Sequence, residues 1–441
     1  MKITIIILFV IFSMRLQAQE VWNLLNCIDY AIENNIDLNI KLNKELNQEI
    51  NLLESKAKLF PDLNLGSSIN VNYGRNIDGN TNNITYNQTI SNNYWISSSV
   101  DIFQGLVKQN TISFNKFLLS ANKEESKLIK NKLIFDVITA YYISLYSVGL
   151  ENVAKSQVDL SEMQYKRMQK LVDIGKESPL TVQDLKSQWV ADKLNLTKAR
   201  NQKNKKILEL KQLLRLDANA DFFIDTINKA PFVITELPIV DNIFNNAINF
   251  LPEIKQQEFL LNASEKDLLV SKGKISPSLY LSAGMGTNYF DGDDLAYASQ
   301  IKNNQNQQIR LGLIIPIFNR ASTYSSIKRK KIAISDQMLQ IEKDKEKVYS
   351  EIWNVLDNVE SAEKEYNASL ELYKYSKLSF QNTSKKLEKG LAGTSDFEIA
   401  KQRMVSAKVE MLKAELTYVM YIQILEFYKT GSWDHLNLIN N

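Results

Sequence analysis

Four short stretches of the chain alternate apolar and polar residues, and everything between them has the spacing of helices. The stretch "FPDLNLGSSINVNYG" places Leu63, Leu65, Ile69, Val71 and Tyr73 on one face, with Asp62, Asn64, Ser68, Asn70 and Asn72 on the other. That is the period of a strand with one apolar and one wet face. The same alternation predicts strands over about 93–103, 277–290 and 307–318, with Leu279 and Leu281, then Ile309, Leu311 and Leu313, on the apolar side. Between them, Ala321 to Lys389 holds no Gly or Pro, and Leu106 to Ile174 only Gly149. Seventy helical residues at 1.5 Å each make a rod of roughly 100 Å. In the second rod Ile334, Met338, Ile341, Val348, Ile352, Val355, Val359, Ala362, Tyr366 and Tyr373 recur at steps of fours and threes, broken only by Lys345 and Ser369. This heptad seam predicts lengthwise packing against other helices. Shorter helices are expected from Trp22 to Lys58 and from Pro179 to Leu214.

The chain repeats itself. "AIENNIDLNIKL" at Ala31 and "AINFLPEIKQQE" at Ala247 lie 216 residues apart, as do Pro61 and Pro277; "VDIF" at Val100 and "IPIF" at Ile315, like Gly175 and Gly390, lie 215 apart. One register held over most of the chain predicts a duplication. Each half reads helix, strand, polar loop, strand, very long helix, tight turn, helix. The expected divisions are 1–18, a first repeat 19–216, a linker 217–242 carrying Pro231 and Pro238, a second repeat 243–431 and a tail 432–441.

The apolar strand faces need a cover. Each strand is long enough to cross a bilayer core when tilted, which takes about 9–11 residues. The alternative is a soluble sheet packed on the helices, but the helices leave the strand ends within two or three residues and so extend away from it. Tyr73, Tyr94, Trp95 and Tyr289 beside the polar loops, with Phe60, Phe103 and Phe318 at the helix junctions, resemble the two aromatic girdles of a membrane barrel. Four strands cannot close a barrel, and open edges are not tolerated in lipid, so the chain is expected to oligomerise.

Composition narrows the picture. Of 441 residues 44% are hydrophobic and 23% charged, the net charge is +3, and Gly (14) and Pro (7) are scarce, which suits long elements and gives no sign of a nucleic-acid partner. "MKITIIILFVIFSMRLQAQE" reads as a secretory signal cleaved after Ala18, a short membrane anchor being the alternative. Cys27 is the only cysteine; it is read as a buried helix residue in preference to a lipid-attachment site. With one histidine, His435, and no Ser-His-Asp set, metal cluster or phosphate-binding loop, no catalysis and no cofactor are expected.

The opening "WNLLNCIDYAIENNIDL", the junctions "AKLFPDLNL", "GKISPSLYL", "VDIFQG" and "IPIFNR", and the turns "VDIGKESPLTVQDL" and "EKGLAGTSDFEIA", in duplicated order from Trp22 to Gly431, resemble the TolC-type outer-membrane efflux family. The resemblance implies an α+β membrane protein: a homotrimer whose twelve strands form one outer-membrane β-barrel, continued by a coiled-coil helical tunnel in the periplasm of a Gram-negative cell. It implies a passive exit duct for an efflux or type I secretion system, with a periplasmic adaptor and an inner-membrane pump as partners. Leu63, Leu65, Ile69, Val71, Leu279, Leu281, Leu311 and Leu313 would then meet lipid. The turns at Gly175, Gly390 and Leu391 would contact the adaptor. Asp396, six residues after Gly390, matches the first position of the family's constricting acidic ring. The second falls on Ile399, with Glu398 a substitute and Asp184 the counterpart in the first repeat. The other reading of Asp396 is a carboxylate placed at a helix N-terminus. A trimeric adhesin-like envelope protein without export activity is the competing function.

Overall fold

A computed structural model describes residues 21–77, 84–86, 88–226, 237–293 and 295–436. The expected signal, part of the first polar loop, residues 227–236 of the linker and the last five residues lie outside these. In chain order the elements are β1 (Val21–Trp22), α1 (Leu24–Asn34), α2 (Ile36–Ala57), β2 (Asn64–Asn72), β3 (Arg75–Ile77), β4 (Ile84–Tyr86), β5 (Thr89–Gln104), α3 (Val107–Asp173) and α4 (Pro179–Leu214). Then come β6 (Phe223–Ile224) in the expected linker, α5 (Val240–Ala247), and through the second repeat α6 (Pro252–Gly273), β7 (Ser278–Phe290), α7 (Tyr297–Asn303), β8 (Asn306–Ile314), α8 (Ser322–Glu388) and α9 (Thr394–Thr430). The duplication is now structural: α3 and α8 each have 67 residues. Even the strand-to-helix corners match, with Gly105–Leu106 and Arg320–Ala321 both left-handed, φ between 54° and 59°.

The helix expected from Trp22 to Lys58 is two helices. Asn35 adopts an extended backbone after α1, and its side chain accepts the Leu38 amide (2.9 Å), so one residue ends the first helix and caps the second. The corresponding break in the second repeat precedes Pro252, the first residue of α6. The fourth strand stops at Ile314, because Pro316 has no amide to give a ladder.

The chain forms two compact units. One comprises residues 42–125 and 253–343. It holds a sheet of order β2-β5-β7-β8, every pairing antiparallel. Gly105 and Gly273 meet backbone to backbone beside it: a Cβ on Gly105 would lie 2.3 Å from the Gly273 carbonyl oxygen. Beyond β7 the loop folds back on the strand. Gln300, fully buried in α7, accepts the Phe290 amide at 2.9 Å and donates to the Phe290 and Leu295 carbonyls.

The other unit comprises residues 1–41, 126–252 and 344–441, of which the described part is helical apart from the short parallel pair β1–β6. Its main core joins Cys27, Ile28 and Ala31 of α1 to Ile134, Val137 and Ile138 of α3, Leu210 and Leu214 of α4, and Leu416 of α9. Cys27 is an interior thiol, its pKa pushed up to about 12 by burial. One 18-residue window of α3 reaches a mean hydropathy of 1.5, enough by composition to cross a membrane, but half of it is buried, as a core helix requires. The heptad seam of α8 is buried at Val348, Ile352, Val359, Ala362 and Ser369, joined by Leu356, whereas Met338 is exposed.

Candidate functional site: a bare sheet face and two helix turns

In the sheet, register decides what each face presents. Rows such as Leu65–Ile96–Met285 and Val100–Leu281–Leu311 run across one face, and Asn64–Ser97–Gly284–Gln308 across the other. On the first face Leu63, Leu65, Ile69, Val71, Leu281, Leu311 and Leu313 are all exposed, Leu65 by 83%, and Leu279 is partly so. An apolar face of this extent cannot face water in a stable protein without a cover. The outer strands β2 and β8 have nine residues each, and among the described residues no further strand joins the sheet beyond either of them, which leaves two edges.

Trp95 does not join an aromatic girdle on that face. It stands opposite Gly66 and Gly286 on the polar face. Its ring lies across Gly66, where a Cβ would come within 2.3 Å of it. Tyr280 covers Gly312 in the same way. The alternation sends position 95 to the side of Ser97 and Asn93, whatever its side chain. Tyr94 is on the apolar side, its hydroxyl 2.7 Å from that of Tyr297.

In the helical unit the two tight turns are built alike. Gly175 and Gly390 have φ of 73° and 74°. The amides of Lys176 and Leu391 each reach back five residues, to the Leu171 and Lys386 carbonyls, both at 2.8 Å. These are the paired bonds of a left-handed helix cap, and they need glycine for its φ and not for space, since nothing lies within 4 Å of either added Cβ. Leu391 is exposed beside its turn. The returning helices start differently. Ser178 caps α4 by accepting the Leu180 amide (3.3 Å), with Pro179 in the first turn. In α9 the cap is Gly393, not Ser395, and the exposed Asp396 accepts the Gly393 amide at 3.2 Å. Asp396 thus does serve the helix N-terminus.

The other carboxylates are placed unequally. Asp184 is exposed on α4. Glu398 is engaged: its carboxylate lies 2.7 Å from the ammonium of Lys401, which is fully buried and also meets Asp192 at 3.2 Å. Asp192 in turn accepts from Gln157 of α3 (3.0 Å) and Gln188 of α4 (3.1 Å). This cluster escaped the sequence reading, although a signal existed. Val182, Leu185, Trp189 and Asp192 follow a three-four-three seam, so Asp192 is an acid at a core position, and Lys401 is a base four residues after the core residue Phe397.

A sheet apolar on one side, in a chain of duplicated long helices, is a fold also found in solved outer-membrane channels. The chain is similar over 93% of its length to solved structures of three such proteins. They are CusC (TM-score 0.79, 16% identity, 92% of that chain), the Campylobacter jejuni CmeC outer membrane channel (0.78, 17%, 86%) and the Neisseria gonorrhoeae MtrE outer membrane channel (0.76, 17%, 89%). Residues 44–214 match the family of outer membrane efflux proteins, so the resemblance to the TolC-type family holds over the first repeat by sequence and over both repeats by fold. No curated protein matches in sequence.

Proposed function

We propose that the protein is the outer-membrane exit duct of a tripartite efflux or type I secretion system, acting as a homotrimer in a Gram-negative outer membrane with its helices in the periplasm. The observation that carries this reading is the bare apolar face between two free edges. Strand direction alternates across the sheet, so β8 of one copy can pair with β2 of the next without breaking the antiparallel order. Three copies give twelve strands, a closed ring that leaves no edge and turns the apolar face to lipid and the polar face to a water-filled lumen. The number three comes from the likeness to the family.

In this reading the turns at Gly175, Gly390 and Leu391 meet the periplasmic adaptor, and an inner-membrane pump supplies the energy. Asp396, with Asp184, supplies the carboxylates of a pore ring, where three copies around a narrow axis repel one another and attract cations. Glu398 contributes less, because Lys401 compensates its charge.

Single-channel conductance of the purified protein in planar bilayers tests the proposal. Cation-selective steps are expected, and Asp396→Ala is expected to reduce that selectivity. Recovery of the protein from the soluble periplasm, or a trimer without conductance in both the native form and Asp396→Ala, would refute the duct.

A further inference from the structure

The two repeats set the same junction of sheet and helix among different charges. In the first repeat a groove at this junction is lined by Glu54, Lys58, Asp62, Asp101 and Lys108, among others. Its charges are settled within the chain: Lys108 meets Asp101 at 3.0 Å, and Lys58 meets Glu54 at 2.6 Å. The corresponding groove of the second repeat, about 270 Å³, keeps the lysine and has no acid in its lining. At the repeat spacings of 216 and 215, Lys58 becomes Lys274, while Glu54, Asp62 and Asp101 become Val270, Ser278 and Pro316. Bases are gained instead. Gly105 becomes Arg320, and Lys328-Arg329-Lys330-Lys331 falls within the first three turns of α8. Among the described residues only Lys330 of these bases has an acidic partner, Asp267 at 2.5 Å. The first turn of α8 carries no acid, so the positive end of the helix adds to the same field.

The groove joins this charge to an apolar wall. Ile275, Ile317 and Phe318 line it and are exposed, Ile317 by 95%. Ile317 and Phe318 continue the chain from Leu311 and Leu313 of the bare sheet face. Side chains on a helix lean toward its N-terminus, so the bases of α8 point back toward this wall. Lys328 does so: its ammonium lies 4.7 Å from the ring centre of Tyr324, one turn earlier and itself part of the groove. A small anion would meet the cations and leave the apolar residues bare, whereas an anionic amphiphile meets both. We propose that this groove holds a phospholipid of net negative charge from the leaflet on the helix side, its phosphate between Lys274 and Lys328 and its acyl chain along Ile317 and Phe318. The proposal rests on the reading of the sheet as a membrane barrel and adds to it a lipid of defined charge, at the second junction and not at the first.

Native mass spectrometry of the full-length protein in detergent, with phosphatidylglycerol, phosphatidylcholine and inorganic phosphate as probes, tests this. The native protein is expected to prefer phosphatidylglycerol. A lysine beside an anionic headgroup is worth roughly fivefold in affinity, so Lys274→Gln combined with Lys328→Gln is expected to weaken phosphatidylglycerol about 25-fold and phosphatidylcholine little. Lys274→Arg combined with Lys328→Arg keeps both charges and is expected to keep the preference. Lys58→Gln, at the self-paired junction of the first repeat, is expected to change nothing. Equal affinity of the native protein for the two lipids, a double glutamine variant that binds like native, or an equal loss in Lys58→Gln would each overturn the site. Displacement of phosphatidylglycerol by excess inorganic phosphate would assign the groove to a free anion and overturn the lipid. If the double variant fails to assemble, Lys328→Gln is read alone: a loss of roughly fivefold is expected, and no loss refutes the proposal. Binding is read without conduction. Conductance without lipid preference fails this site alone, and lipid preference without conductance fails the duct alone.

Discussion

A single lysine placed on one side or the other of β5 separates the membrane reading from a soluble one. Ile96 and Ser97 are neighbours on a central strand, and register sends them to opposite faces: Ile96 lies between Leu65 and Met285, Ser97 between Asn64 and Gly284. If the apolar face meets lipid, Ile96→Lys puts a cation into hydrocarbon, at a cost of about 2–4 kcal/mol near the bilayer midplane. That is roughly a 30- to 900-fold shift in the folded population per chain, before any multiplication by the copies in the ring. Ser97→Lys places the same charge on the polar face over the bare backbone of Gly284, where water solvates it, and about 0–0.5 kcal/mol is expected. A soluble sheet predicts otherwise. Ile96 is already 40% exposed in the isolated chain, so a lysine there would be close to neutral. The assay is refolding from urea into phospholipid vesicles, read by heat-modifiable migration. Ile96→Lys is expected to lower the folded yield steeply and Ser97→Lys to leave it near native. Equal behaviour of the two variants would refute the assignment of the faces.

Two further outcomes follow from the helical unit. Gly390→Ala forces a side chain into a φ of 74°, which costs about 1 kcal/mol in strain although the space is open; a lowered thermal midpoint, with Gly175→Ala behaving alike, is the expected result. Glu151 accepts from Lys203 (2.6 Å) and Arg200 (3.0 Å), and these hydrogen bonds hold its carboxyl below the ordinary 4.5. A depressed carboxylate stabilises fully above its unfolded value and loses that contribution as pH falls through the folded one. Glu151→Gln should therefore cost up to ~1 kcal/mol at pH 7, with the gap to native narrowing below about pH 4.5 in urea melts.

Local backbone rules made most of the fold readable. Alternation marked the four strands of the sheet, the near absence of Gly and Pro (Gly149 alone) marked the two long helices, and Gly175 and Gly390 marked the turns. What stayed hidden depends on partners distant in sequence. The side chain of Asn35 looks like any surface residue until its bond to the Leu38 amide shows that it ends one helix and starts another. Trp95 belongs by type at a membrane interface, yet strand parity places it over Gly66, an assignment that needs the register and not the residue name. Asp192 and Lys401 are 209 positions apart, and only packing reveals that two charges on separate seams cancel. For the same reason Glu398, expected as a substitute for the second acidic ring position, is already engaged by Lys401.

The repeats keep their backbone geometry and exchange their side chains. The corner before each long helix is left-handed at two successive residues, made by Gly105–Leu106 in one half and by Arg320–Ala321 in the other. Arg and Ala accept there a conformation that costs them strain, so the position is held by the surrounding structure and not by local preference. The turns use the same pair of hydrogen bonds, while the following helices start differently: the Ser178 hydroxyl caps α4, and in α9 the Asp396 carboxylate reaches back to the amide of the cap residue Gly393. Of the two returning helices, only α9 keeps a carboxylate in its first turn, at Asp396, so the two halves share the backbone of the turn and differ in the charge they place beside it. On the duct reading proposed above, that difference would make Asp396 the carboxylate nearer its turn and Asp184 the one farther along its helix.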